Sequence, residues 1–105
     1  MRSIIWLGTT LDDVKAFPAK ARQAAGYQLS KVQDGQEPTD WKPLKTVGNG
    51  VKEIRLSEAG GAFRVVYIVV KGRSIYVLHA FPKKTQKTSQ RDINLAKQRY
   101  REVPT

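Results

Sequence analysis

Basic side chains that can bind phosphate are concentrated in the last third of the chain, from its single histidine onward. The stretch His79-Ala80-Phe81-Pro82-Lys83-Lys84 opens this region. Its cations, Lys83, Lys84, Lys87, Arg91, Lys97, Arg99 and Arg101, stand against the acids Asp92 and Glu102. Guanidinium groups bind phosphate in a fork, and cations in such density favour a polyanionic partner.

Two further arginines lie in apolar segments upstream of this stretch. Arg64 sits inside a β-branched run, where an unpaired charge would be costly to bury. Either it pairs with an internal carboxylate such as Glu53, or its face of the strand lines an anion site. A short turn joins the segments of Arg55 and Arg64. We expect one concave patch to bring together Arg55, Arg64, His79 and Lys83 or Lys84.

Each member of this group has an ordinary structural alternative. Arg64 and Glu53 can form a cross-strand ion pair. A lone histidine in a strand is often a hydrogen-bonded structural group, and two lysines after a strand are often a solvated corner. Purely structural roles explain each of these residues alone more easily than they explain the presence of the whole group.

RNA offers a reaction that suits these residue types. Its 2′-hydroxyl can attack the adjacent phosphate once a base removes the proton, and arginine can stabilise the crowded phosphorus. A lysine among other cations has a lowered pKa and can act as the base. His79 can act as acid or base near neutral pH.

The totals exclude several other classes of protein. The 105 residues fit one domain, 1–105, and a formal charge of +10 favours a nucleic acid over a merely soluble, highly charged surface. Without cysteine and with one histidine, the chain offers no disulfide framework and no zinc ligand set. We expect no metal or other cofactor, no membrane association and a cytoplasmic location.

The first half of the chain predicts one strand and two helices. Ile4 to Leu7 is a short apolar strand pattern. Thr10-Leu11-Asp12-Asp13 has the spacing of a capping box, so a helix should begin there with the Thr10 hydroxyl as cap. Pro18 interrupts this helix or opens a second one that runs to Val32. The segment from Asp34 to Pro43 should be a loop, with Trp41 filling the core.

The second half predicts three strands and a final helix. The strands are Val51 to Leu56, Phe63 to Val70 and Ser74 to Phe81, and the middle one is apolar enough to be covered on both faces. A capping box at Ser89 to Asp92 opens the helix. Its apolar face carries Ile93, Ala96, Tyr100 and Val103. The fold is therefore α+β, in the order β-α-α-β-β-β-α, with a small antiparallel-dominated sheet, an N-terminal α-hairpin and a C-terminal helix.

Four segments in this order resemble the RelE/HigB toxin superfamily, most of all its phage-derived HigB-like branch. They are Lys52 to Arg55, Phe63 to Tyr67, His79 to Thr88 and Ile93 to Arg101. The most specific is the pattern H-x-F-x-K-K-x-x-x-T before a basic helix. The RelE-like fold is what the resemblance implies for this chain.

The resemblance implies the toxin of a type II toxin–antitoxin pair, a ribosome-dependent endoribonuclease that cuts mRNA without a metal ion. A cognate antitoxin, commonly a helix-turn-helix protein, would neutralise it, and operator DNA would be contacted only through that complex. The family's functional arginine corresponds to Arg64 and its basic residues to Lys83 or Lys84, with Arg55 as a neighbouring candidate. Contacts to ribosomal or messenger RNA would come from Lys45, Lys52, Lys87 and Arg91.

The chain departs from RelE where that protein has a catalytic tyrosine after the basic turn. Ser89 and Gln90 stand nearest to that position, and Tyr100 lies too far along the helix. His79 or a lysine must then supply acid–base catalysis. ParE-type toxins, which inhibit DNA gyrase without cutting RNA, share the fold and are the alternative function.

Overall fold

The computed structural model describes residues 1–104, which form a five-stranded sheet with helices on both faces. The elements are β1 (Ser3–Trp6), α1 (Thr10–Lys15), α2 (Ala19–Gln33), β2 (Trp41–Pro43), β3 (Lys52–Glu58), β4 (Gly61–Val70), β5 (Ser74–Lys83) and α3 (Gln90–Tyr100). The strand order is β1-β5-β4-β3-β2, and every pairing is antiparallel except that of β1 with β5. The predicted α+β class is confirmed.

Strand β4 lies at the centre of the sheet and is covered on both faces, as its continuous hydrophobicity predicts. Val65 and Tyr67 pack in the core under α1 and α2, whereas Val66 and Ile68 pack in the core under α3. Successive side chains of a strand alternate between faces, so one apolar run serves two cores.

Both long helices follow their apolar spacing. Helix α2 buries Ala21, Ala25, Leu29 and Val32 against the sheet, and Pro18 occupies its N-cap position. Helix α3 begins after Ser89, whose hydroxyl accepts a hydrogen bond from the amide of Asp92 at 3.2 Å. Capping of this kind satisfies an amide that the first helical turn leaves unpaired.

Three local predictions are wrong. The segment predicted as a loop contains the short edge strand β2, in which Trp41 pairs with Ile54. Trp41 is only half-buried, because it lies on this edge strand; the Lys52 ammonium sits over its ring, 4.5 Å from the centroid. The N-cap of α1 is Thr9, not Thr10, and no side chain caps it; Thr10 is buried with its hydroxyl unpaired.

An irregularity in β5 determines which way its histidine faces. Tyr67 pairs with Val77 and Val66 pairs with His79, so Leu78 is an extra residue in the ladder. Such a bulge reverses the alternation of faces beyond it. Both Leu78 and His79 therefore lie on the α3 side of the sheet.

None of the helices within residues 1–104 is long and apolar enough to cross a membrane.

Candidate functional site

A cleft with a volume of about 330 Å³ lies where β3, β4 and β5 meet the loop 84–88. Arg55 and Arg64 are directly opposite each other in the β3–β4 ladder, and Lys83 is opposite Ala62 in the β4–β5 ladder. The cleft is lined by Arg55, Ala62, Arg64, Lys83, Lys84, Thr85 and Gln86. Four of the five predicted catalytic residues thus meet in one place.

Arg64 is the buried cation of this cleft, with 7% of its surface exposed. Its Nη1 donates to the carbonyl oxygen of Phe63 at 2.9 Å, while its Nε finds no hydrogen-bond partner among residues 1–104. Burial lowers the pKa of Arg64, and the nearby Glu53 carboxylate opposes that shift. Arginine still keeps its proton at neutral pH. The side chain therefore places a fixed positive charge at the cleft, and its unpaired Nε is itself buried.

Glu53 provides the counter-charge from the fully buried interior. Its Oε1 lies 3.9 Å from the Nε of Arg64 and 3.9 Å from the Nζ of Lys42. These distances are too long for hydrogen bonds. Its Oε2 accepts a hydrogen bond from the Thr88 hydroxyl at 3.0 Å. The sequence suggested that Arg64 either pairs with Glu53 or lines an anion site. Its position agrees with both, since it lies near Glu53 and also lines the cleft.

The other cations at the cleft are more accessible. Arg55 is exposed, and its Nε lies 4.0 Å from the Oδ1 of Asp40, a surface contact that contributes little. Lys83 is half-buried, and its pKa is lowered by burial and then by the charge of Arg64. Lys84 is exposed in the loop that follows β5. A phosphate entering here would meet the guanidinium groups of the two arginines and the ammonium groups of the two lysines.

His79 lies deeper and does not line the cleft. Only 5% of its surface is exposed, and its ring stacks on Phe81 with the centroids 4.8 Å apart. Its Nε2 is 2.7 Å from the Oδ1 of Asp92, and its Nδ1 is 3.3 Å from the Nη1 of Arg99. Because Arg99 can only donate, Nδ1 accepts and Nε2–H donates. These bonds are those of a hydrogen-bonded structural histidine, the alternative to a catalytic role that the sequence left open for His79.

Residues 12–101 match the sequence model of the family described as phage derived protein Gp49-like (DUF891). The chain belongs to this family. It is a family associated with RelE-like, toxin-like proteins, which agrees with the resemblance at that level. No curated protein matches the chain in a sequence comparison. The matched region includes every residue of the cleft.

The four predicted RNA-binding residues of this Gp49-like chain are dispersed. Lys87 borders a groove beside the cleft, and Arg91 lines a hollow that also contains Lys84. Lys45 is exposed between β2 and β3. Lys52 faces the α2 side of the sheet, where its ammonium bonds Glu37 at 2.9 Å. The structure therefore does not bring Lys52 to the cleft.

Sequence reasoning missed three residues of the Gp49-like chain that line a groove next to the cleft. Lys42 was hidden in a segment predicted as a loop, and Lys97 was one cation among many. Thr88 gave no signal beyond its place in the H-x-F-x-K-K-x-x-x-T pattern.

The described residues, 1–104, contain no group of three or more histidine or acidic side chains close enough together to hold a metal ion.

Proposed function

We propose that this Gp49-like chain is the toxin of a type II toxin–antitoxin pair, of the HigB-like branch, and that it cuts mRNA on the ribosome. The observation that carries the proposal is the convergence of Arg55, Arg64, Lys83 and Lys84 on one cleft. The association of the Gp49-like family with RelE-like toxins supports the toxin role.

The reaction is attack of the RNA 2′-hydroxyl on the neighbouring phosphate, with release of the 5′ oxygen of the next nucleotide. Arg64 and Arg55 bind the phosphate and stabilise the charge that develops on its oxygens. Lys83, whose pKa is lowered, takes the proton of the 2′-hydroxyl in its neutral form. Lys84 lies at the cleft to protonate the departing oxygen. No cofactor takes part in this scheme.

The partners follow from the same proposal. The toxin acts in the cytoplasm on ribosome-bound mRNA and touches ribosomal RNA with its outer lysines. A cognate antitoxin, a small helix-turn-helix protein, neutralises it and carries the complex to operator DNA.

The test maps the 5′ ends of cellular transcripts after induction of the protein. New cuts in translated regions are expected for the wild type and should be lost with Lys84→Ala and Arg64→Lys. Arg64→Lys keeps a positive charge near Glu53 but loses the guanidinium fork that binds a phosphate. Lys20→Ala, on the exposed surface of α2, is the matched control and should cut like the wild type.

Growth arrest with unchanged transcripts would refute the ribonuclease proposal. A supercoiling assay with purified gyrase then distinguishes the ParE-type alternative, because gyrase inhibition is not expected of an mRNA endoribonuclease.

A further inference from the structure

A second groove, about 400 Å³ in volume, lies beside the cleft between β2 and α3. We call it the lysine groove; it is lined by Lys42, Leu44, Thr46, Gln86, Lys87, Thr88, Gln90, Ile93 and Lys97. Gln86 also lines the cleft, so the two depressions are neighbours that share the loop 84–88.

The lining of the lysine groove suits single-stranded RNA. Lys42, Lys87 and Lys97 contribute three positive charges, and the one carboxylate near them among residues 1–104 is the buried Glu53, 3.9 Å from the Lys42 ammonium behind the lining. Leu44 and Ile93, which are buried in the core under α3, form the floor beneath these cations. A positively charged groove that follows the phosphate backbone is one of the elements with which proteins hold unpaired nucleic acid.

A competing route out of the cleft is less favourable for an anion. A hollow on the loop 84–88 is lined by Phe81, Pro82, Lys84, Thr85, Ser89, Arg91 and Asp92. Its two cations share the space with the Asp92 carboxylate, which also bonds His79 and Ser89. The net charge of the lining is therefore smaller there than in the lysine groove.

We propose that the RNA strand leaves the cleft past Gln86 and enters the lysine groove, where Lys42 and Lys97 each bind a backbone phosphate. The inference rests on the proposed function for the identity of the strand. It goes further by assigning a second binding site, its direction from the cleft and two residues that contact the phosphates.

The test measures binding of a 2′-O-methyl RNA oligonucleotide, which cannot be cut, at a series of salt concentrations. Each lost phosphate contact should reduce the slope of log K against log salt by about 0.7 for a single strand. Lys42→Gln and Lys97→Gln should each show that reduction. Glutamine keeps much of the aliphatic stem, so packing is little disturbed. Lys20→Gln on α2 is the matched control and should leave the slope unchanged.

An unchanged slope for both variants, or no salt-dependent binding by the wild type, would overturn the inference. A reduction of the same size for Arg91→Gln, with none for Lys97→Gln, would overturn the direction of the strand, since both side chains belong to α3. The readout is independent of cleavage. Salt-dependent contacts in a protein that cuts no transcript would leave the groove assigned and refute only the ribonuclease.

Discussion

Lys83 loses its proton more readily than an ordinary lysine, because its pKa is lowered. Its ammonium is half-buried and lies near the fixed charge of Arg64, and both effects favour the neutral form. The Glu53 carboxylate opposes them, and the net shift is downward from the ordinary value of 10.5. A neutral amine beside a phosphate site can accept the proton of a 2′-hydroxyl.

The pH dependence of cleavage tests this role. The rate should rise with pH as Lys83 deprotonates, and the midpoint should lie below 10.5 because its pKa is lowered. Lys83→Arg keeps the charge but cannot deprotonate, so it should lose both the activity and the rising limb. Single-turnover cleavage on programmed ribosomes, from about pH 6 to about pH 9, measures both. A variant with the wild-type profile would remove Lys83 from the role of base.

The meeting of Arg55, Arg64, Lys83 and Lys84 could be predicted from the sequence because strands alternate with period two and short turns fix their register. His79 lies on the same face of β5 as Lys83, as the alternation beyond the bulge requires. Its exclusion from the cleft was not predictable, because α3 covers it there through Asp92 and Arg99.

Within residues 1–104, one side-chain hydrogen bond ties the loop 84–88 to a segment distant in sequence, from the Thr88 hydroxyl to the buried Glu53. Thr88→Val should leave the Oε2 of Glu53 without this partner and cost about 1–3 kcal/mol of stability. Amide exchange in residues 84–88 should accelerate, and RNA affinity should fall because Lys84 is no longer held at the cleft. Hydrogen-exchange mass spectrometry measures the loop directly.

Thr88→Ser provides the control, since it keeps the hydroxyl and should restore slow exchange. Equal exchange in Thr88→Val and the wild type would mean that the loop is held by other contacts.

Packing of α3 against the loop before β3 leads to a separate prediction. A Cβ at Gly48 would lie 2.5 Å from the Cζ of the Tyr100 ring, which cannot yield as a flexible chain end would. Gly48→Ala should therefore destabilise the protein by about 1–3 kcal/mol. Gly26→Ala, on an open surface of α2, should instead stabilise it by about 0.5–1 kcal/mol. Urea unfolding measures the change in stability of each variant. The same change for Gly48→Ala and Gly26→Ala would contradict close packing of Tyr100 on Gly48.

The elements themselves were largely predictable, because helical spacing, Pro18 and the Ser89 cap are local signals. Strand β2 was not, since its three residues acquire strand geometry only by pairing with β3. Trp41 was placed in the core on hydrophobicity alone, whereas its cover is the ammonium of Lys52, a residue distant in sequence.

Across the whole molecule, His79 stands in a chain of side chains that links α3 and β5 to the N-terminal segment. Asp92 and Arg99 hold its two ring nitrogens from α3. Arg99 also donates to the Leu78 carbonyl at 3.2 Å and to the Thr9 hydroxyl at 3.2 Å. Protonation of His79 would place a second donor against the Arg99 guanidinium and weaken the docking of α3.

The stability of the protein should therefore fall in mild acid. Burial lowers the pKa of His79 below its ordinary 6.5, against the opposing effect of Asp92. Between the lowered pKa of His79 in the folded chain and the ordinary pKa in the unfolded chain, the unfolded chain binds a proton that the folded chain does not. Stability therefore decreases as pH falls through about 6.5 and levels off below the folded pKa. Because the chain has one histidine, this window is free of other histidine side chains. Urea unfolding from about pH 7 to about pH 5 should show the loss, and His79→Gln should abolish it. A variant that keeps the same slope would show that another group controls the attachment of α3.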